Sequence, residues 1–429
     1  MSTGRDKPKL RKVERLNLQR GDEALLVLRD PTGLSDQVAF PQEASVVLDA
    51  LDGQRTVPQI RQSLAMRGIL EIELAELEAL VRDLEVAGYL DDAAFRARWE
   101  AIHREFLTNP TRRPRWAGLL YPDDPAALAE LLAATLPDPS ARFTDTDAAL
   151  GVLLPHQPLP SPDAPADAAV RAAASLADEV LRGLPRARDI DLVVILGTDY
   201  HPGLQPFVVT DKRYATPRGE LPSDPALVRA LDRRLPWIRR EEIRHREAMS
   251  LELAAAVLQH LYDGTCPPVL PVLCGPGAVE LDEGGPVEAF LATMEHVLED
   301  RRVLWWVTAE LGHEGPAFGR PALTKDRVAA LMARDRAVLA ALADGRPEQL
   351  GRCCKDVPGL DPPSGTAALL TAARLFPVGY GADLVAYAAG RPVGADEGWI
   401  GLGGARFTRP VDDGDDDDDD FRPSRPRVA

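Results

Sequence analysis

An α/β fold is expected for the larger part of this chain, with a small α+β winged-helix unit ahead of it. Three observations carry the expectation. Between residues 114 and 409, apolar runs alternate with segments of helical period, as in a domain built on a largely buried sheet. Residues 10–95 hold a short apolar strand and three short amphipathic helices. The chain has 429 residues, 45% hydrophobic and 27% charged, which is globular composition and enough length for a real core in two or three domains.

The N-terminal unit reads in order. Ala24 to Leu28 is a strand, followed by the turn signal Asp30-Pro31-Thr32-Gly33. Ala44, Val47, Leu48 and Leu51 mark one face of a helix that Asp52-Gly53 ends. Thr56 caps a second helix, with Ile60 and Leu64 inward and Gly68 as its stop. A third helix spans about residues 71–86 with Leu74, Leu77, Leu80, Val81 and Leu84 inward, and Gly88-Tyr89-Leu90 predicts a closing strand. Residues 91–113 read as a linker helix ending at Asn109-Pro110, with 96–113 as the span between the two units.

In the C-terminal domain the expected strands are 151–154, 191–196, 269–273 and 303–307. The expected helices are 125–136, 168–181, 249–261 and 286–298. Residues 410–429 are Asp-rich and then Pro/Arg-rich, a disordered acidic tail by composition.

Charge narrows the function classes. Lys and Arg number 50 against 67 Asp and Glu, a formal charge of −17, which repels nucleic acid and anionic lipid. The third helix carries Glu71, Glu73, Glu76, Glu78, Asp83 and Glu85 against Arg82, so the winged-helix unit is read as a peptide- or protein-docking module and not as a DNA reader. No apolar signal segment and no membrane-length apolar run are visible. The four cysteines form no CxxC pair, so a reducing, cytoplasmic setting is expected.

Ligand crevices of open α/β sheets lie beyond the carboxyl ends of strands. Those ends carry Pro155-His156, then Thr198-Asp199-Tyr200-His201, then Thr308-Ala309-Glu310 followed by His313. Imidazole with carboxylate suits Fe, Zn or Mn. Against this stands the ordinary reading of each His as a hydrogen-bonded loop residue. His103, His245, His260 and His296 fall on helical stretches and are read as solvated or partly buried. Lys212, Arg213 and Arg218 are read as a solvated rim or an anion clamp. Cys353-Cys354 beside Lys355 is read as structural or as a thiol of lowered pKa.

The order of these motifs resembles the Memo family. Ala117-Gly118-Leu119-Leu120-Tyr121-Pro122 is similar to its "AGSWYP" opening, Val152 to His156 to "IAPHAG", and Ile195 to His201 to "LGTSH". Gln205-Pro206-Phe207 and Tyr214 to Gly219 resemble "QPF" and "Y-TPLG". Pro271 to Gly275 resembles "IPVLVG", Val307 to His313 resembles "VSSDFCH", and Tyr387 with Gly401 to Ala405 resembles the terminal pieces. The likeness covers about residues 114–408. Leu51, Asp52, Gly53, Thr56, Ile60 and Leu64 in turn resemble the PqqD-like recognition domains over about 85 residues.

The Memo resemblance implies a fold shared with class III extradiol dioxygenases and a nonheme site for iron or copper. His156 falls on the first ligand position, Tyr200 on the second with His201 beside it, and Asp361 near the third, with Cys353 or Cys354 as an alternative. Glu310 and His313 fall on the catalytic acidic and His positions. The "EHS-E" piece reads Ala248 to Glu252, so its His is lost. Two readings stay open. In one, His156, His201 and Asp361 form a two-His-one-carboxylate set for oxygen-dependent redox chemistry. In the other, the site is degenerate and the chain is a ligand- or peptide-binding scaffold. The resemblance further implies an AmmeMemoRadiSam-type setting (system protein B), in which the N-terminal module meets a radical-SAM enzyme or a peptide by strand addition.

Overall fold

A computed structural model describes residues 7–20, 23–30, 34–35, 37–68, 72–136, 143–144, 149–158, 168–201, 203–355, 357–391 and 397–410. The expected turn at Pro31–Gly33 and the acidic tail from Val411 lie outside the described residues.

The N-terminal region is a three-stranded antiparallel sheet followed by helices. The sheet runs β1 (Glu14–Arg20), β2 (Glu23–Arg29), β3 (Val38–Pro41), in that order. Helices follow at Ser45–Ala50, Val57–Met66 and Leu74–Val86. Thr56 caps the second as expected, in a capping box with Gln59. Leu28, Leu48, Ile60, Leu64, Leu77, Val81 and Leu84 form one core with Tyr89. The expected closing strand at residues 88–90 is a single bridge between Leu10 and Leu90. Tyr89 goes inward instead, and its hydroxyl donates to the Leu28 carbonyl at 2.9 Å. The linker helix spans Ala93–Thr108, capped by Asp92.

The C-terminal domain is mixed α/β around a central, mostly parallel sheet. After β4 (Thr111–Arg112) and β5 (Phe143–Thr144) come β6 (Ala149–Leu154), β7 (Leu184–Pro185), β8 (Leu192–Thr198), β9 (Phe207–Val209), β10 (Arg213–Thr216), β11 (Gly219–Leu221), β12 (Val269–Cys274) and β13 (Val303–Thr308). The last three are β14 (His313–Glu314), β15 (Gly381–Gly390) and β16 (Trp399–Thr408). β6, β13, β8 and β12 lie side by side in parallel, with β9 antiparallel at one edge and β16, β14 and β15 antiparallel at the other. Every residue of those four central strands is buried, because helices cover both faces, and this explains their unbroken apolar runs. The four expected strands and four expected helices of this domain are all present.

Two close approaches need glycine. A Cβ on Gly197 would lie 2.6 Å from Leu251 Cδ2, so Gly197 lets the helix Met249–Tyr262 seat against β8. A Cβ on Gly365 would lie 2.5 Å from Ala309 Cβ, so Gly365 lets the Ser364 loop reach the end of β13.

Glu252, fully buried on that same helix, fixes the start of the domain. One carboxylate oxygen accepts the Trp116 N–H at 2.7 Å and the Tyr121 hydroxyl. The other accepts the Arg115 N–H at 2.8 Å and the Arg112 guanidinium. Arg112 also donates to the His245 and Arg246 carbonyls, each at 2.9 Å. A buried charge needs such full pairing, and removing one partner strands the other. Glu252→Ala is therefore expected to cost about 3–5 kcal/mol of stability, read from urea unfolding. A change under about 1 kcal/mol would contradict this role.

Candidate functional site

The site sits at the carboxyl ends of β6, β13 and β8. These strands are neighbours, so residues distant in sequence meet there. Leu154 pairs with Thr308, and Thr308 with Gly197. His156 follows β6 and is buried. Its Nδ1 lies 3.2 Å from Thr308 Oγ1 and its Nε2 lies 2.7 Å from Tyr200 Oη. Glu310 follows β13 and is buried beside it, with Oε1 3.9 Å from His156 Nε2. The Gln157 amide donates to that Oε1, and His313 Nε2 lies 3.1 Å from Oε2. Ser364 Oγ is 3.4 Å from Tyr200 Oη. The result is a hydrogen-bonded run from Ser364 through Tyr200 and His156 to Thr308, and beside it a second in which Glu310 holds Gln157 and His313.

Burial and charge set the protonation states. Burial pushes the His156 pKa down, which keeps the imidazole neutral. Tyr200 is partly exposed as a residue, but desolvation at its hydroxyl, and next the Glu310 carboxylate, push it well above the ordinary phenol value, so the phenol keeps its proton. Burial alone would raise Glu310, but the contacts from His313 and the Gln157 amide hold it below the ordinary carboxylate range.

The structure brings together His156, Tyr200, Glu310 and His313 and sends two expected ligands elsewhere. His201 Nδ1 lies 3.4 Å from Asp199 Oδ1, and its own N–H donates to that oxygen at 2.9 Å. Asp199 is ion-paired with Arg244. The Asp361 carboxylate is half-exposed and ion-paired with Arg320, while its carbonyl accepts Arg334. Cys354 is buried in the core, which pushes its thiol up to about 11, far from a thiolate ligand. His156, His201 and Asp361 therefore do not make the expected two-His-one-carboxylate set. Among the described residues, no three His, Cys, Asp or Glu side chains are grouped to hold a metal ion.

The remaining set does not fit iron or copper as an open site. A neutral phenol and a neutral imidazole share one contact, so Nε2 either carries a proton or accepts one. In both cases its lone pair is taken.

His245 is fully buried, not solvated, with Tyr214 Oη 2.6 Å from Nδ1 and the Val208 carbonyl 3.1 Å from Nε2. Lys212 is no rim residue: it is buried, and Nζ donates to the Asn109 carbonyl at 2.6 Å. Gln157 and Ser364 were not singled out by sequence. Gln157 directly follows His156, and Ser364 sits in the Asp361-Pro-Pro-Ser-Gly piece, so both had a positional signal.

A family model for "Memo-like protein" matches residues 112–390. The chain belongs to the Memo-like family. Two relatives agree. A MEMO1 family protein of Aquifex aeolicus is 24% identical over 72% of this chain and 77% of its own length. A MEMO1 family protein of Thermus thermophilus is 29% identical over 68% of this chain and 82% of its own. The match begins at Arg112, the residue that pairs with Glu252, and leaves the N-terminal region unassigned. No helix among the described residues of this Memo-like protein is long and apolar enough to cross a membrane.

The buried imidazoles give a pH signature. Burial lowers His245 to about 3, while an unfolded His titrates near 6.5. The unfolded chain thus takes up a proton that the folded one refuses. Stability is full above about pH 6.5 and falls as pH drops from there towards 3. His156 acts in the same direction. Replacing His245 by Gln is expected to flatten the loss of urea midpoint between pH 7 and 5. An unchanged slope would place the titration elsewhere.

Proposed function

We propose that this protein is a binding scaffold whose Memo-like cleft has been converted from a metal site to a closed hydrogen-bond network, and whose N-terminal module recruits a peptide or protein. The single observation that carries the reading is Tyr200 Oη at 2.7 Å from His156 Nε2. That contact occupies the atom a metal would need, at the position where the family resemblance puts a second ligand.

Two further features support it. Glu310 is held as an anion by Gln157 and His313, which leaves a fixed set of donors and acceptors suited to recognising a polar group. Strand β3 pairs only with β2 among the described residues, so it offers an edge to which an extended segment can add. A radical-SAM enzyme or its peptide substrate is the partner class the resemblance suggests. A metal-dependent oxidoreductase is the second reading, and it would need His201 or Asp361 to leave its present partner.

Reversal of the substitution is the test. Tyr200→His places a second imidazole beside His156, with Glu310 as the carboxylate of a two-His-one-carboxylate set. After anaerobic loading with Fe(II) and with Zn(II), metal content by mass spectrometry should stay at background in the natural protein. It should rise towards about one per chain in the variant. About one metal per chain in the natural protein, lost in His156→Ala, would overturn the scaffold reading.

A further inference from the structure

We propose that the outer edge of β15 is a docking surface for a second copy of this chain, the two edges pairing antiparallel about a two-fold axis at Tyr387. β15 pairs with β16 and, among the described residues, with no other strand. Its backbone makes no other hydrogen bond among those residues. In an antiparallel strand, successive residues turn their N–H and C=O to alternate sides. Every second residue of β15 therefore presents an unpaired donor and acceptor at the rim of the sheet.

Helices cover both faces of the strand, so the open part is the edge itself. Ala386 and Ala388 pack with Ala169 and Leu176 of the helix Ala168–Val180. Tyr387, on the other face, packs against the cluster that holds Val338 and Leu339 of the helix Lys325–Ala343. Val385 is still 45% exposed. Native edges are commonly guarded by lysine, proline or a bulge. β15 has a register shift between Ala382 and Leu384. From Leu384 to Gly390 its register is unbroken, and the run holds no charge and no proline.

Charge selects a second copy as the occupant. A chain of formal charge −17 repels its like over most of its surface. The neutral run is an exception, and it is flanked by Asp383 on one side and Arg391 on the other. Pairing about Tyr387 sets Leu384 opposite Gly390 and Ala386 opposite Ala388. It also brings Asp383 of each copy to Arg391 of the other. The edge is thus self-complementary, as an isologous interface requires. Arg391 is exposed and has no ion-pair partner among the described residues. Asp383 holds Arg406 Nε at 2.9 Å but is half-exposed, and a carboxylate accepts several donors. The two helices that lie against β15 widen the contact beyond one strand pair. This edge is separate from the His156 network, and the proposal stands whether or not that network binds metal.

The test is sedimentation equilibrium of the full chain across micromolar concentrations, with hydrogen–deuterium exchange read over residues 384–390. Twice the single-chain mass is expected at the upper concentrations, with exchange at 384–390 slowing as the dimer forms. Arg391→Asp sets acid against acid at both ends of the pair and should weaken the dimer about tenfold or more. Asp383→Arg combined with Arg391→Asp restores opposite charges and should recover it. A single-chain mass up to hundreds of micromolar would overturn the proposal. So would a dimer that Arg391→Asp leaves unchanged, or one whose edge amides exchange as fast as in the single chain.

Discussion

The buried Glu252 carboxylate is the constraint on which the Memo-like domain is assembled. A carboxylate inside a protein must be met by donors on all sides, or its desolvation is uncompensated. Here the donors are two backbone N–H groups, a hydroxyl and a guanidinium, all from residues 112–121. The opening segment is therefore locked onto the helix Met249–Tyr262. Arg112 in turn reaches the His245 and Arg246 carbonyls, which settles the turn in which His245 is buried. The family match begins at this same arginine.

The same rule shapes the cleft. Glu310 is buried as an anion, so its neighbours are donors: Gln157 and His313. His156 is buried as a neutral ring, so its neighbours are hydroxyls: Tyr200 and Thr308. A metal site needs lone pairs that converge on one empty point. This site spends its lone pairs on one another. At the position the resemblance gives to a second ligand stands a phenol, Tyr200, with its hydroxyl 2.7 Å from His156 Nε2. A phenol that keeps its proton beside a carboxylate is a hydrogen-bond partner before it is a ligand.

Much of the fold was legible because parallel strands covered on both faces are unbroken apolar runs. Residues 149–154, 192–198, 269–274 and 303–308 are such runs. Strand β1 was missed although Leu16 and Leu18 alternate with polar residues, a period-two signal in a short segment. The β15–β16 pair was missed because small residues such as Ala386, Ala388, Gly401 and Gly403 carry little periodic signal, and their pairing is set by tertiary register. In the site, His156, Glu310 and His313 were readable as strand-end residues. The fates of His201 and Asp361 were not, because each is decided by an arginine far away in sequence: Arg244 through Asp199, and Arg320. Side-chain direction at a strand end is a matter of partners, and sequence does not give partners.

Everything proposed for the cleft depends on His156 Nε2 being engaged by Tyr200 and closed to metal. The most direct measurement is ¹⁵N NMR of the imidazoles in histidine-labelled full chain, with and without one equivalent of Fe(II) under anaerobic conditions. The expected result is a neutral His156 ring that titrates below the ordinary imidazole value and whose signals survive the addition of iron. Loss of the His156 signals by paramagnetic broadening at one equivalent, with the Tyr200 contact displaced, would contradict it.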